Sequence, residues 1–589
     1  DHSTRAVDAP DPEVMQNPSP PLSTKKTRAF LRVASENIRG RGGPGIARNA
    51  KWRALAQLVR TNKIGIMAVQ ETHLTQEHVA EIELLYSHLR VVNTALPGNP
   101  TGSAGTAIIL NKHLTNHQTL TTHVVVPGRA LLVSFEWHRG RRLTVLSVYA
   151  PTTATANDAL WGTILTALRS TTNRLPKPDI VLGDFNFVED PLDRFPAALS
   201  KMDSPRKFDS LKTYLTVTDG WRRTFPSTVD WSWRNAARTA MSRIDRIYLT
   251  EGLLAASRSW KIETSGLNSN DHSQVSVELT SPTMPQVGEG RWTMREPITR
   301  DAEFIETVNN LGLALVRELD NLASRPRDSR RTAQHAWEDF KSDVRTTAKK
   351  RQAALNCRNN TLLRSKEQAR ELAVRELNTA VSPEERSQRS RALKHAETDL
   401  YEFKAKNFRD NFAYRDARAA VEAETMSKSW FGWTKEPRPR DTIFHFRKPN
   451  SEPAEYVRSS RSMAELAKEY HDAVQSVDMD VPPDAWQKAA DEVLAFVPTT
   501  LNTLEAAGLD QELSGEDVGL SIQESKNGKA AGLDGIIYEL WKVLDARFRV
   551  APADTRGTLV FDVADTMRRV FTDVEEHGLP EDSHFADGW

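Results

Sequence analysis

The chain has 589 residues, more than one ordinary domain accommodates, so two or three units are expected. Its 79 lysines and arginines nearly cancel 78 aspartates and glutamates, and the net charge of +1 gives no global pull toward nucleic acid. The single cysteine, Cys357, excludes an internal disulfide and a cysteine-built zinc cage, and no apolar run approaches the ~20 residues of a membrane-spanning helix. No signal-peptide pattern opens the chain. The lone thiol fits a reducing compartment, and a first residue Asp1 in place of methionine fits a fragment.

Residues 1–29 are rich in proline, serine and charge and have no apolar period, which predicts a disordered tail. From residue 30 to 281 the pattern is α/β. "FLRVASENI" reads as a strand, "ARNAKWRALAQLVR" as a helix with one apolar face, "IGIMAVQ" as a buried strand and "TQEHVAEIELLYSHL" as a helix. Further strands follow at "GTAIIL", "ALLVSFEW", "RLTVLSVYA", "DIVLGD", "SRIDRIYLT" and "QVSVEL", with a helix near residues 155–170. So many strands with so few helices between them predict two packed sheets rather than one doubly wound sheet.

Residues 282–500 change to charge-dense helix. In "VSPEER", Ser382 is placed as N-cap, Pro383 at the first helical position and Glu385 where a capping box needs it. Leu393, Ala396, Leu400 and Phe403 then recur along one seam, which predicts a helical arm or hairpin. A last unit spans residues 501–589. "RGRGGPG" (39–45) lacks the Lys-Ser/Thr of a phosphate-binding loop and reads as a surface loop. The basic stretches "RPRDSRRTAQ" and "RTTAKKRQ" carry interspersed acids and read as solvated helix faces.

The polar residues that end the apolar strands carry the chemistry. In "PDIVLGDFNFVED", Asp184 and Asn186 are two residues apart and project to one side of an extended segment. An aspartate there can take a proton from water or hold a hard cation, and an asparagine can donate to an anionic oxygen without adding charge. On "GDFN" alone, a turn signal is an equally good reading. The other strand ends tilt the balance: Asn37 in "ENIRG", Glu71 in "VQETH", Tyr149 in "VYAP", Asp245 in "SRIDRIY", and Asp271 with His272 in "NDHSQV".

This ordered set, "NIRG", "QETH", "VYAP", "GDFN", "RIDRIY" and "DHSQV", resembles the endonuclease/exonuclease/phosphatase superfamily, and most of all the endonuclease domain of LINE-type non-LTR retrotransposons. The resemblance covers residues 30–281 and implies a DNase I-like four-layer α/β sandwich. "SIQESKNGKAAGLDGIIYELWK" is similar to the opening of the reverse transcriptase domain of such elements, and "ETMSKSWFGWTKEPRPRDTI" to their linker. The implied activity is a Mg²⁺-dependent DNA-nicking endonuclease, with Mn²⁺ as an alternative ion. It would generate a 3′-hydroxyl for target-primed reverse transcription. The implied partners are DNA and, secondarily, RNA of the parent element, with no membrane. The implied location is the nucleus for a working element and the cytoplasm otherwise.

The resemblance also implies roles. Glu71, helped by Asn37, would hold the cation. Asp184 would deprotonate water, and Asn186 would position the water or the phosphate. His272, oriented by Asp271, and Tyr149 would donate to a phosphate oxygen, with Asp245 in support. Ser232 in "DWSWR" would contact the phosphate. Arg39 departs from the pattern, standing where some repair-type relatives carry a second acidic ligand, as do Asn270 and Gln274 around the Asp-His pair. The polymerase aspartates are absent, so no polymerase activity is expected and Asp534 in "GLDG" reads as a turn former. Two alternatives accompany this reading: a silent remnant that at most binds nucleic acid, and a phosphatase acting on a small phosphoester.

Overall fold

The computed structural model describes residues 29–42, 46–138, 140–172, 174–196, 204–265, 271–281, 284, 287, 290–423, 443–476, 482–497, 502–503, 511–580 and 583–585. The tail expected over residues 1–28, Asn270 and most of the linker-like stretch 424–443 lie outside these residues.

Up to residue 281 the elements are β1 (Leu31–Asn37), α1 (Ile46–Thr61), β2 (Ile64–Gln70), α2 (Gln76–Leu85), β3 (Leu89–Thr94), β4 (Thr106–Asn111), β5 (Thr121–Val126), β6 (Ala130–His138) and β7 (Arg141–Tyr149). There follow α3 (Ala154–Arg169), β8 (Ile180–Asp184), β9 (Arg194–Phe195), α4 (Arg206–Leu215), β10 (Val217–Asp219) and α5 (Gly220–Thr224). The last are β11 (Trp233–Arg234), β12 (Met241–Ser242), β13 (Asp245–Thr250), α6 (Glu251–Ala255), β14 (Ser257–Glu263) and β15 (Gln274–Leu279).

Two six-stranded mixed sheets form, in the orders β14-β15-β1-β2-β4-β3 and β10-β13-β8-β7-β6-β5. Every residue of β2 is buried, as its unbroken apolar run requires when both faces are covered. One face packs Ile66 and Ala68 against Val133, Val145 and Ile180 of the other sheet. The opposite face packs Met67 and Val69 under Trp52, Leu55 and Val59 of α1. The second sheet is covered likewise, by Trp161 and Ile164 of α3 and Phe208 of α4 over Val148, Val181 and Phe185. The result is a four-layer α/β/β/α sandwich, the fold that the strand count predicts.

The sequence pattern extends the second helix through Leu89, but α2 stops at Leu85. Leu84 and Leu85 are exposed, whereas Leu89 is fully buried and opens β3 opposite Asn111. Pairing with β4 and burial of Leu89 outweigh one further helical turn.

Beyond residue 290 the described chain is largely helical: α7 (Ala302–Ala323), α8 (Ala333–Asn378), α9 (Pro383–Ala423), α10 (Ser460–Ser476), α11 (Pro483–Leu494), α12 (Gly515–Glu524), α13 (Tyr538–Val550) and α14 (Val563–His577). The Ser382 hydroxyl accepts from the Glu385 N–H at 3.1 Å and the Glu385 carboxylate accepts from the Val381 N–H at 3.0 Å, so the predicted cap forms. Helices α8 and α9 make the predicted hairpin, antiparallel, with Leu393 and Leu400 buried. Phe304 of α7, Trp337 and Phe340 of α8, Trp541 of α13 and Phe561 share one core, so residues on both sides of position 500 pack together. Arg327, Arg331 and Arg351 of the basic stretches pair with Asp573, Glu318 and Asp301. The Asp534 carboxylate accepts from the Ile536 N–H at 2.9 Å, which is the expected turn. No described helix is long and apolar enough to cross a membrane.

Candidate active site

Sheet register assembles the site. Asp184, at the end of β8, lies directly opposite Tyr149 on the parallel strand β7 and opposite Asp245 on the antiparallel strand β13. Registered neighbours point to the same face, so these three side chains form one row. The other sheet brings up Asn37 at the end of β1 and Glu71 one residue past β2, facing the row.

Hydrogen bonds tie the two sheets together at this point. The Asn37 amide nitrogen donates to Glu71 at 2.9 Å and to Asp184 at 3.0 Å. The Tyr149 hydroxyl donates to the same Glu71 oxygen at 3.1 Å. Glu71 and Asn186 both adopt positive φ, 53° each, where the chain leaves its strand sharply. The Asn186 N–H donates to Asp184 at 3.1 Å and its side-chain amide to the Ala150 carbonyl at 2.8 Å.

His272 sets its Nδ1 2.8 Å from Asp245 Oδ2. The expected orienting partner is Asp271, but the carboxylate at Nδ1 is that of Asp245. Asp271 points instead to Arg39, at 3.1 Å, and is its counter-charge. Ser232, expected at the phosphate, lies against the start of β13. It is fully buried, and its hydroxyl oxygen accepts from the Ile244 N–H at 3.0 Å and the Asp245 N–H at 2.8 Å. A hydroxyl in that position anchors the start of β13.

Electrostatics follow from burial and proximity. Burial, with Asp245 opposite, pushes Asp184 up to about 7, although His272 and Asn37 pull it down. Burial lowers the affinity of His272 for a proton, but the Asp245 carboxylate beside it, with Asp184, more than offsets this and raises it to about 9. The Tyr149 hydroxyl is pushed well above its ordinary value by burial and by Glu71, and stays protonated.

Glu36, which the sequence reading passed over, is also part of this environment. It is fully buried beside Asn37, accepts from Ser265 at 2.6 Å and Gln274 at 3.3 Å, and is raised to about 7 by burial. In a strand of alternating pattern its carboxylate reads as solvent-facing. Arg129 was missed too: its guanidinium lies 4.7 Å from the Tyr149 ring centre and supplies a cation at the rim.

The donor set fits a divalent cation. Ligand atoms of Asp184, Asp245 and His272 lie within 4.8 Å of one another. Asp245 Oδ1 is buried with no hydrogen-bond partner, and the two aspartates repel each other. Positive charge close by relieves both conditions, and it can come from the protonated His272 ring on Asp245 and from a cation at Glu71, which Asn37 links to Asp184. Asn37 directs its amide nitrogen to the carboxylates while its oxygen accepts from the Arg39 N–H at 3.0 Å, so ligation through that oxygen requires a half-turn of the amide.

A four-layer sandwich of two mixed sheets flanked by helices is the DNase I-like fold, and here its strand ends converge on a buried Asp-Asp-His cluster. Residues 37–270 match the model of the Endonuclease/Exonuclease/phosphatase family. Among solved structures, the endonuclease domain of TRAS1, a telomere-specific non-LTR retrotransposon, is 18% identical over 43% of this chain and 98% of its own, with a TM-score of 0.32. The AP endonuclease LMAP from Leishmania major is 16% identical over 44% of this chain and 92% of its own, with a TM-score of 0.36. The 3′-5′ exonuclease NExo from Neisseria meningitidis is 17% identical over 43% and 100%, with a TM-score of 0.35. No curated protein matches the chain.

Proposed function

We propose that residues 30–281 are a divalent-metal-dependent DNA endonuclease that nicks one strand and leaves a 3′-hydroxyl. The observation that carries this reading is Asp184, buried between a hydrogen-bonded Asn37–Glu71 pair and an Asp245–His272 pair. A base and a proton donor therefore flank one point.

Asp184, raised to about 7, is a base strong enough to take a proton from an attacking water near neutral pH. His272, raised to about 9, is protonated at that pH and donates from Nε2 to a non-bridging phosphate oxygen, since Nδ1 is engaged by Asp245. Tyr149 donates to the same developing charge, and Asn186 positions the water or phosphate. Glu71, with Asn37 beside it, would hold Mg²⁺ or Mn²⁺, which would supply positive charge against the phosphate. Ser232 and Asp271 act at one remove, by fixing Asp245 and Arg39.

DNA as substrate, a retrotransposon origin, the reading of residues 501–589 as the start of a reverse transcriptase and a nuclear location rest on the motif resemblance. The experiment is plasmid nicking by the wild-type chain and by Asp184→Ala, with Mg²⁺ and with EDTA, after both are shown to be folded. Metal-dependent nicking that Asp184→Ala abolishes is the expected result. A folded wild type that leaves supercoiled plasmid intact overturns the reading.

A further inference from the structure

The α8–α9 hairpin belongs to no part of the chemistry above, yet its turn end is bonded to the loop that abuts the catalytic groups. Glu397 of α9 is buried and lies 2.5 Å from Arg238 Nε, 3.2 Å from Arg234 Nε and 3.7 Å from Arg370 Nε. Arg370, on α8, closes on Asp230 at 2.5 Å. The Ser390 hydroxyl donates to the Arg238 carbonyl at 3.1 Å. Around these charges Trp231, fully buried, packs with Val374, Leu377 and Leu393 of the hairpin.

The other side of the same loop is bonded to the catalytic groups. Arg234 Nη1 donates to the Ser273 hydroxyl at 2.7 Å and its backbone N–H to the Asp271 carbonyl at 2.8 Å, so it holds the residues on either side of His272. Trp233 forms an antiparallel bridge with His272 itself. Ser232 holds the Asp245 N–H, and the Ser273 N–H donates to the Ser232 carbonyl at 2.7 Å. Residues 230–238 are thus a single segment, gripped by the hairpin on one side and gripping Asp245 and His272 on the other.

We propose that the hairpin is a positioning element of the nuclease site, with Glu397 and Arg370 as positioning residues that act through Arg234 and Ser232 on His272 and Asp245. The geometry explains why a carboxylate is buried here: three guanidiniums in a buried space need a shared counter-charge, one of them hydrogen-bonded to Glu397 and the others paired with it by charge, and Glu397 is held below the ordinary carboxylate range, its burial outweighed by Arg234, Arg370 and Arg238. Removing that charge leaves Arg234 and Arg238 to repel each other, and the loop between them shifts. Displacements of about 1 Å at a catalytic group cost on the order of a hundredfold in rate.

This inference rests on the nuclease reading, and its test separates the two. Glu397→Gln and Arg370→Gln are made in the full chain and compared with wild type by plasmid-nicking kinetics and by hydrogen–deuterium exchange. The expected result is a kcat lowered at least tenfold, a KM for DNA within twofold of wild type, and faster exchange confined to residues 230–238 and 271–276. Unchanged kcat and unchanged exchange in a folded variant overturn the proposal. So does exchange that rises throughout the two sheets, which marks a general structural role. If the wild type does not nick, the nuclease reading falls and exchange alone decides: faster exchange confined to the two segments upholds the clamp, and unchanged exchange ends it. If Glu397→Gln does not fold, Arg370→Gln carries the same comparison through Asp230.

Discussion

His272 turns its Nδ1 to Asp245 at 2.8 Å, although Asp271 is its neighbour in sequence. Asp245 begins β13 and His272 precedes β15, in different sheets, so the pair spans the two halves of the sandwich. The two aspartates therefore make different demands. Asp245→Asn removes the group that keeps His272 charged and is expected to lower nicking by about 10² or more. Asp271→Asn loses a half-exposed pairing with Arg39 and is expected to cost less than tenfold. Single-turnover nicking of the two variants side by side tests this, and equal losses would restore Asp271 to the orienting role.

Ser232→Ala leaves two backbone N–H groups without their acceptor, that of Asp245 buried and that of Ile244 partly so. A buried donor left unsatisfied costs about 1–3 kcal/mol. The expected outcome is a lower urea midpoint together with reduced nicking, because Asp245 moves with its strand. A variant with wild-type stability would mean that the hydroxyl is not the anchor.

Protonation gives the metal-free chain a definite pH dependence. Asp184 and Glu36, both raised to about 7, and His272, raised to about 9, all bind protons more tightly folded than unfolded. The stability they contribute is complete below their unfolded values and is lost as pH rises through the folded ones. Unfolding free energy measured in EDTA should therefore fall between about pH 4 and 9. Mg²⁺ should flatten the slope, since it favours the ionised carboxylates. A metal-free chain equally stable at pH 5 and pH 8 would contradict these assignments.

Gly183→Ala is expected to prevent folding of the sandwich, with a loss above about 3 kcal/mol. Gly183 has φ +143°, and a Cβ there would lie 1.9 Å from the Val148 carbonyl oxygen on the adjacent strand β7. Circular dichroism and the yield of soluble protein measure the effect. A folded, active Gly183→Ala would show that β7 and β8 are not held at this separation.

Much of this was legible in the sequence because strand ends are punctuated. Asn37, Glu71, Tyr149 and Asp184 each follow an apolar run, and the register then places them together. The Ser382–Glu385 cap was legible for the same local reason. What the sequence hid depends on contacts between distant segments. The short edge strand β3 is disguised by the apolar tail of α2, and β14, "SRSWKIE", lacks a clear alternation. The His272–Asp245 pairing requires knowing which loops meet. Glu397 and Glu36 look like ordinary solvated acids until Arg234 or Gln274 is brought against them.

Helix α8 has a consequence for spacing. Its first turns, through Ala348, belong to the core shared with α13 and α14, and residues from Ala373 onward pack on Phe195, Trp231 and Met241 of the N-terminal sandwich. The uninterrupted stretch between them acts as a ruler of roughly 38 Å, at about 1.5 Å per residue. It also fixes rotational phase. One inserted residue turns one body relative to the other by about 100°, whereas seven nearly restore the original facing. Length changes within this stretch are therefore constrained in whole turns, while the exposed residues along it are free to vary.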